Sequence, residues 1–413
     1  MTKKTNKRAY VVAFCIAMSS NFGFSVAYAY TSYYVAFQNA TRFSNTQLGL
    51  LLTVLGIAST VLYLPGGYLA DRFSPIKLTV TGLIGAGAIG FLIATFPGYP
   101  VMMLLYCAFA VFAILVGWNP QIKVLRMVST DEDQAKIQTA RAFGRTLPIL
   151  AVSLGGSGLL ALLPDRTALQ ATLCLYGGLA ILGAIVAGVA YKPADRGDAG
   201  AEAQGISLKG FTSVLKHREV WIIGLIGFSA YTASAGITYL QPYLADIYNL
   251  SSATSSMYAV IAKNCALLSA PVLAFLAKKK KTSVTGILGL GLLAALACFV
   301  VYLFLPVGSG LLLAAIVLYM LAALSIMGAW ALQFVPVSEV GFPLAMTGTA
   351  IGVISAFSFV SDIFYSALCG SLIDRFGLAG YQYIFGMTAA VLAAGAWACL
   401  HIGKQIRERA KVS

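Results

Sequence analysis

The sequence predicts an all-α membrane protein with twelve transmembrane helices arranged as two six-helix halves. Three observations lead there. Of 413 residues, 59% are hydrophobic and only 10% are charged, well short of the about 25% charged residues of a soluble domain. Apolar runs of about 20 residues, enough to cross a hydrocarbon layer of roughly 30 Å as helix, recur along the chain between short polar breaks. Segments of the first half return in the second at a nearly constant offset. Spans fill almost the whole chain, so a soluble catalytic domain is excluded and no enzyme is expected.

The first six spans are expected at 9–37, 46–70, 76–95, 100–127, 137–163 and 168–191. The first is read as a retained span and not as a cleaved signal peptide, because it continues as a long aromatic helix with no convincing small-residue cleavage site. It is also unusually polar. Asn21, Ser25 and Tyr28 follow at four and three residues and form one stripe, as expected of a helix lining a wet cavity. In the fourth span, Pro120 predicts a kink beside Trp118 and Asn119. Lys123 and Arg126 then share a face at its inner end, and Arg141 and Arg145 share one at the start of the fifth.

A linker at 192–217, rich in Asp, Gly and Pro, cannot bury a core and separates a half at 1–191 from one at 218–413. The remaining spans are expected at 218–247, 253–277, 282–305, 309–335, 343–372 and 380–403. In the seventh, Tyr231, Ser234, Thr238 and Gln241 form a second polar stripe, with Tyr239 and Tyr243 nearby. Tyrosine hydroxyls and amides at such places can orient a small polar ligand. Tyr33, Tyr34 and Tyr243 are expected in the aromatic belt at the outer interface. Trp330 and Gln333 of the tenth span are further lining candidates.

A net charge of +14 would suggest nucleic acid in a soluble protein, but the 28 Lys and Arg form no patch. With the N-terminus inside, 24 fall in inner tails, loops and helix ends, three (Arg42, Arg166, Arg375) lie outside, and Lys263 lies within a span. That bias predicts cytoplasmic termini in an inner membrane. The seven cysteines all fall within spans without a CxxC pair, and His217 and His401 stand at helix ends. Reduced packing cysteines and no metal or other cofactor are therefore expected. No Gly-Lys-Ser/Thr phosphate loop occurs, which excludes an ATP-driven pump on this chain alone.

The internal repeat runs over four helices. An offset of 207 brings Ser44 to Ser251 and Asp71 to Lys278, one of 208 pairs Thr139 to Gly144 with Thr347 to Gly352, and one of 209 pairs Asp165-Arg166 with Asp374-Arg375. Halves of like topology predict a translocation path between them. With that repeat in place, Gly67-Tyr68-Leu69-Ala70-Asp71-Arg72-Phe73-Ser74-Pro75-Ile76-Lys77 resembles the G-x-L-A-D-R-x-G-R-[KR] signature of the major facilitator superfamily. The resemblance implies gating: Gly67 for close helix approach, Asp71 as cap or pairing group, and Arg72 and Lys77 as anchors at the membrane face. Lys278 replaces the aspartate in the second copy, so gating is expected from the first half.

Two further stretches, Gly117 to Arg126 and Glu339 to Ser355, together with Asp362-Ile363-Phe364, are similar to YihN-like bacterial transporters, relatives of organophosphate and organic-anion antiporters. The organophosphate members hold phosphate with arginines in the first and seventh helices. Those helices here have none within the membrane, which turns the expectation toward other organic anions.

A charge at the bilayer centre costs about 3 kcal/mol, so each one marks a site or half of a pair. Lys263 and Asp362 lie deep in the eighth and eleventh spans. Either they neutralise each other, or Lys263 binds an anionic substrate while Asp362 changes protonation or pairing during transport; the residues leave both open. Arg141, Arg145, Lys123 and Arg126 either attract an anion at the inner mouth or pair with Asp131, Glu132, Asp133 and Glu339 as a latch, with Glu339 a second coupling candidate. The expected activity is secondary transport of a small organic anion (carboxylate, sulfonate or sugar acid) by a monomer in the lipid bilayer, coupled to a proton or counter-anion. Export of an apolar or cationic compound, and a transporter-like ligand sensor, are the alternatives.

Overall fold

A computed structural model describes residues 7–128, 134–192, 213–280, 282–306, 309–342 and 344–412. Among them no strand occurs, and twelve helical stretches are long and apolar enough to cross a membrane. They are Lys7–Ala27, Asn45–Tyr63, Pro75–Ile93, Tyr99–Leu125, Thr139–Leu162, Asp165–Ala190, Arg218–Tyr248, Ser252–Lys279, Val284–Phe304, Leu312–Ala331, Thr349–Phe376 and Leu378–Glu408. The twelve expected spans are all present. Most of the expected linker, residues 193–212, lies outside the described residues, as do Asp131, Glu132 and Asp133.

The first difference from expectation is that several spans are interrupted. The first does not run unbroken over 9–37: its helix ends at Ala27, a 3-10 turn covers Ala29–Thr31, and a second helix covers Tyr34–Thr41. Breaking a helix in hydrocarbon frees backbone groups that water cannot satisfy, so the protein must supply partners. Here Tyr106 Oη donates to the Ala27 carbonyl (2.7 Å) and Thr31 Oγ1 to that of Tyr28 (2.6 Å). The seventh span breaks between Ile237 and Leu240, the eighth at Cys265 and the eleventh over Val360–Ile363. In the fourth, the kink expected at Pro120 takes the form of a wide π-helical stretch over Val111–Trp118 immediately before it. Proline has no amide to donate, so the turn ahead of it loses a helical bond and can widen.

The chain divides into two compact units, one of Met1–Phe43 with Leu50–Ala203 and one of Ser44–Gly49 with Gln204–Ser413. In the first, small residues let the third and sixth spans touch through backbone. An ideal Cβ on Gly87 would stand 2.7 Å from the Gly177 carbonyl oxygen, and one on Gly177 would stand 2.6 Å from that of Gly87. Tyr33, expected at the interface, is fully buried; its hydroxyl donates to the Ser153 carbonyl (2.7 Å) and sits 3.2 Å from the Tyr176 hydroxyl. Tyr34 is likewise buried. A phenol that finds an internal partner no longer needs the interface.

In the second unit, Tyr243 also turns inward and packs edge-on against Tyr302, Tyr381 and Phe385, with centroids 5.1 to 5.7 Å apart. Tyr381 Oη donates to Asp246 (2.6 Å), and Tyr365 pairs with Thr388 (2.7 Å). Asp374 accepts from the backbone and side chains of Asn45 and Thr46 at 2.6 to 3.0 Å, capping the first turn of the second span. Large apolar side chains such as Leu162, Val189, Phe304 and Leu313 stay exposed along the spans. On a membrane protein such surface meets lipid. Five of the seven cysteines are buried and none is in a disulfide; Cys107 is exposed.

Glu339 is placed by the short helix Val335–Glu339, and its carboxylate accepts from the amides of Val284 (2.6 Å) and Thr285 (3.0 Å) and from Thr285 Oγ1 (2.6 Å). These are the orphan donors at the start of the ninth span. We expect Glu339→Ala to destabilise the fold by about 2 kcal/mol, the cost of a charged cap. It should appear as a lower unfolding midpoint in detergent, with the pH dependence of transport per folded molecule unchanged; a changed pH dependence would restore Glu339 as a coupling group.

Candidate functional site

Both intramembrane charges stand at helix breaks within the second unit. Lys263 occupies the last turn of Ser252–Asn264, and helix resumes as Ala266–Lys279. The break is one residue, Cys265, whose amide bonds the Ala262 carbonyl. Asn264 Nδ2 donates to the Val260 carbonyl (2.8 Å), satisfying an acceptor next to the break. Among the described residues Lys263 makes no ion pair, so Asp362 does not neutralise it.

Asp362 sits in the 3-10 turn Val360–Ile363, between the helices Leu344–Phe359 and Tyr365–Phe376. It therefore precedes a helix N-terminus, the end that favours an anion. Its Oδ2 accepts from Tyr231 Oη at 2.7 Å, and Ser234 Oγ bonds the Tyr231 carbonyl at 2.6 Å. The Tyr231 ring meets Phe359 edge-on at 4.7 Å and lies tilted 6.3 Å from Trp330. Around this group, Trp330 Nε1, Gln333 Oε1 and Ser361 Oγ are buried without a hydrogen-bond partner among the described residues. Buried polar atoms are normally satisfied, so unmatched ones in a cluster mark places that water or a ligand can fill.

In the first unit, Asn21 Nδ2 donates to the Arg145 carbonyl, which holds the polar stripe of the first span to the fifth. Ser25 and Tyr28 on that stripe are half-buried. Arg141 is half-buried and Arg145 exposed, one turn apart on the same helix. Trp118 meets Phe24 edge-on at 5.6 Å.

Several candidates have structural partners within the fold. Lys123 Nζ donates to the Ala70 carbonyl (3.0 Å), tying the fourth span to the C-terminal end of the second, where unpaired carbonyls attract a cation. Tyr239 and Gln241 are fully buried: Tyr239 Oη donates to the Ser366 carbonyl (2.9 Å) and Gln241 Nε2 to Ser256 Oγ (3.1 Å). Both hold spans together inside the unit. The close approach expected of Gly67 belongs to its neighbour. A Cβ on Gly66 would stand 2.9 Å from the Leu115 carbonyl, whereas one on Gly67 would have only Asn119 Nδ2 at 3.9 Å. One residue turns a helix face by about 100°, which is enough to exchange the two glycines. Arg72 donates to Tyr68 Oη (2.9 Å) and Lys77 is exposed. The side chains of Asp71 and Arg126 lie outside the described part.

Sequence reasoning placed Tyr231 on a stripe without finding its partner, and missed Ser361. The available signal was a polar residue beside each intramembrane charge, Lys263-Asn264 and Ser361-Asp362.

The fold and this site can be set beside known proteins. Two inner membrane proteins of Escherichia coli K12 are similar over 92% of this chain and 92% of their own: YqcE at 26% identity and YihN at 24%. A bacterial homologue of the human lysosomal transporter Spinster, solved inward-facing and occupied, shares the fold with a TM-score of 0.76 at 14% identity, covering 98% of both chains. The nucleoside transporter NupG shares it with a TM-score of 0.68 at 14% identity, over 95% of this chain and 98% of its own. Residues 10–361 match the family model of the Major Facilitator Superfamily. The chain, a multi-pass membrane transporter and not an enzyme, belongs to the Major Facilitator Superfamily.

Proposed function

We propose that this transporter moves a small organic anion, a carboxylate, sulfonate or sugar acid, by alternating access. One observation carries the reading: Lys263 lies deep within a span, at a helix break, with no ion-pair partner among the described residues. Maintaining such a charge in a bilayer is costly, and an anionic substrate that arrives and leaves supplies the missing partner. A cationic substrate would be repelled, which disfavours export of cations.

Asp362 serves as the coupling group in this reading. Its hydrogen bond from Tyr231 links a titratable carboxylate to the aromatic wall formed with Trp330 and Phe359. Substrate arriving at that wall would change the hydrogen bonding of Asp362, and with it proton uptake. Arg141 and Arg145 add positive potential in the first unit that draws anions toward the pathway. The distribution of Lys and Arg supports cytoplasmic termini and a site loaded or emptied at a positively charged inner mouth.

Purified protein in proteoliposomes, offered a panel of small carboxylates, sulfonates and sugar acids, is expected to exchange at least one of them. Lys263→Ala should abolish that exchange, with folded protein still present in the membrane. Normal exchange by the variant would remove Lys263 from the site, and no flux of any anion by the wild type would favour a ligand sensor.

Asp362→Asn keeps the shape and can still accept from Tyr231. It should retain exchange of substrate and lose accumulation driven by a pH gradient. Intact pH-driven accumulation would eliminate Asp362 as the coupling group.

A further inference from the structure

A cleft that includes neither Lys263 nor Asp362 lies between the ninth and twelfth spans of the second unit. It encloses about 370 Å³ and is lined by Lys280, Thr282, Gly286, Ile287, Leu290, Leu400 and Arg407. Its level is given by the ends of three spans. The eighth ends at Lys279, the ninth begins at Val284 and the twelfth ends at Glu408, all on the side of the C-terminus. One end of the cleft is therefore in the headgroup layer and the other, at Leu290 and Leu400, faces hydrocarbon.

Two buried glycines meet at its base. An ideal Cβ on Gly403 would stand 3.4 Å from Gly286 Cα, so the ninth and twelfth helices cross almost backbone to backbone. One on Gly286 would stand 3.4 Å from Arg407 Nη2 and 3.6 Å from Thr282 Oγ1. The guanidinium and the hydroxyl thus converge over a bare stretch of helix. Lys280 and Arg407 are exposed, and among the described residues neither makes an ion pair; the nearby Lys404 takes Glu408. Glu339 makes no ion pair with Lys280 or Arg407: its carboxylate is held by the amides of Val284 and Thr285, and its negative charge stays at the start of the ninth helix. The walls match the charge pattern: Leu290 is 51% exposed and Leu400 40%, leaving apolar surface immediately below two cations and a hydroxyl.

We propose that this cleft binds an anionic glycerophospholipid of the leaflet on the side of the termini. Its phosphate is held by Lys280, Arg407 and Thr282, and an acyl chain lies along Leu290 and Leu400. Arginine and lysine hold phosphate through charge-assisted hydrogen bonds, and basic pockets between transmembrane helices are suited to anionic headgroups. Scattered cations at an inner membrane face need no lipid partner. Here, however, they line one cleft with apolar walls beneath, which a free anion would leave unused. The position also suggests a consequence. A lipid there would brace the ninth helix against the twelfth and stabilise the second unit.

The test uses the full chain, purified and stripped of lipid. Phosphatidylglycerol is expected to raise the unfolding midpoint, with phosphatidylcholine giving a much smaller rise and inorganic phosphate none. The double variant Lys280→Ala with Arg407→Ala should lose the phosphatidylglycerol response and retain fewer phosphatidylglycerol molecules in native mass spectrometry. The control Lys278→Ala with Lys279→Ala, which removes the same charge from outside the cleft, should keep both. Equal responses in the two double variants, or equal shifts by phosphatidylcholine, would overturn the site. A shift given by inorganic phosphate alone would overturn the lipid as its occupant. Should the cleft variant be poorly folded, Leu290→Arg places a charge on the apolar wall and should also reduce lipid retention; unchanged retention there would contradict an acyl chain on that wall.

Discussion

Inside a bilayer no backbone or side-chain polar group can fall back on water, and most features of this protein follow from that constraint. Continuous helix satisfies it automatically. Each interruption needs a specific donor or acceptor from elsewhere. Tyr106 serves the break after Ala27 from a different span, Thr31 serves the adjacent turn, and Asn264 serves the break beside Lys263. The interruptions in the first and eighth spans are therefore supplied with their own partners, and those in the eighth and eleventh carry the only charges that sequence alone places deep in the membrane.

That coincidence ties fold to proposed function. A charge in mid-helix would face a ring of satisfied amides and receive no help from them. At an interruption that ring is locally broken: Lys263 stands two residues before the break at Cys265, and Asp362 lies in the 3-10 turn between two helices. Tyr231 occupies one acceptor of Asp362, and Lys263 makes no ion pair among the described residues. The aromatic wall of Tyr231, Trp330 and Phe359 adds apolar surface and unmatched polar atoms to the same unit.

Span count and the identity of the intramembrane charges were legible in the sequence because both are local: about 20 apolar residues in a row, or one Lys among them, can be read without knowing the fold. The breaks were not. Tyr28 to Thr31 stays aromatic and small, and the hydroxyl that permits the interruption comes from Tyr106, 79 positions away. Tyr231 and Asp362 are likewise 131 residues apart. Polar stripes proved ambiguous for the same reason. Asn21 lies on a half-exposed face, yet Gln241, on a stripe of similar spacing, and Tyr239 beside it bond other spans within the core. Helical periodicity reports which residues share a face and is silent on what that face meets. Lys123 and Glu339 show the limit for charges near helix ends, where capping a neighbouring helix competes with binding a ligand.

The central claim, that an unpaired Lys263 forms an anion site, is tested most directly by ligand-induced thermal shifts. Wild type and Lys263→Ala would be compared at fixed ionic strength against organic acids, sugar phosphates, amino acids and cationic dyes. The account predicts that at least one organic acid stabilises the wild type and that Lys263→Ala loses this shift. Stabilisation by cations or neutral compounds alone, or an anion response that survives in the variant, would contradict it.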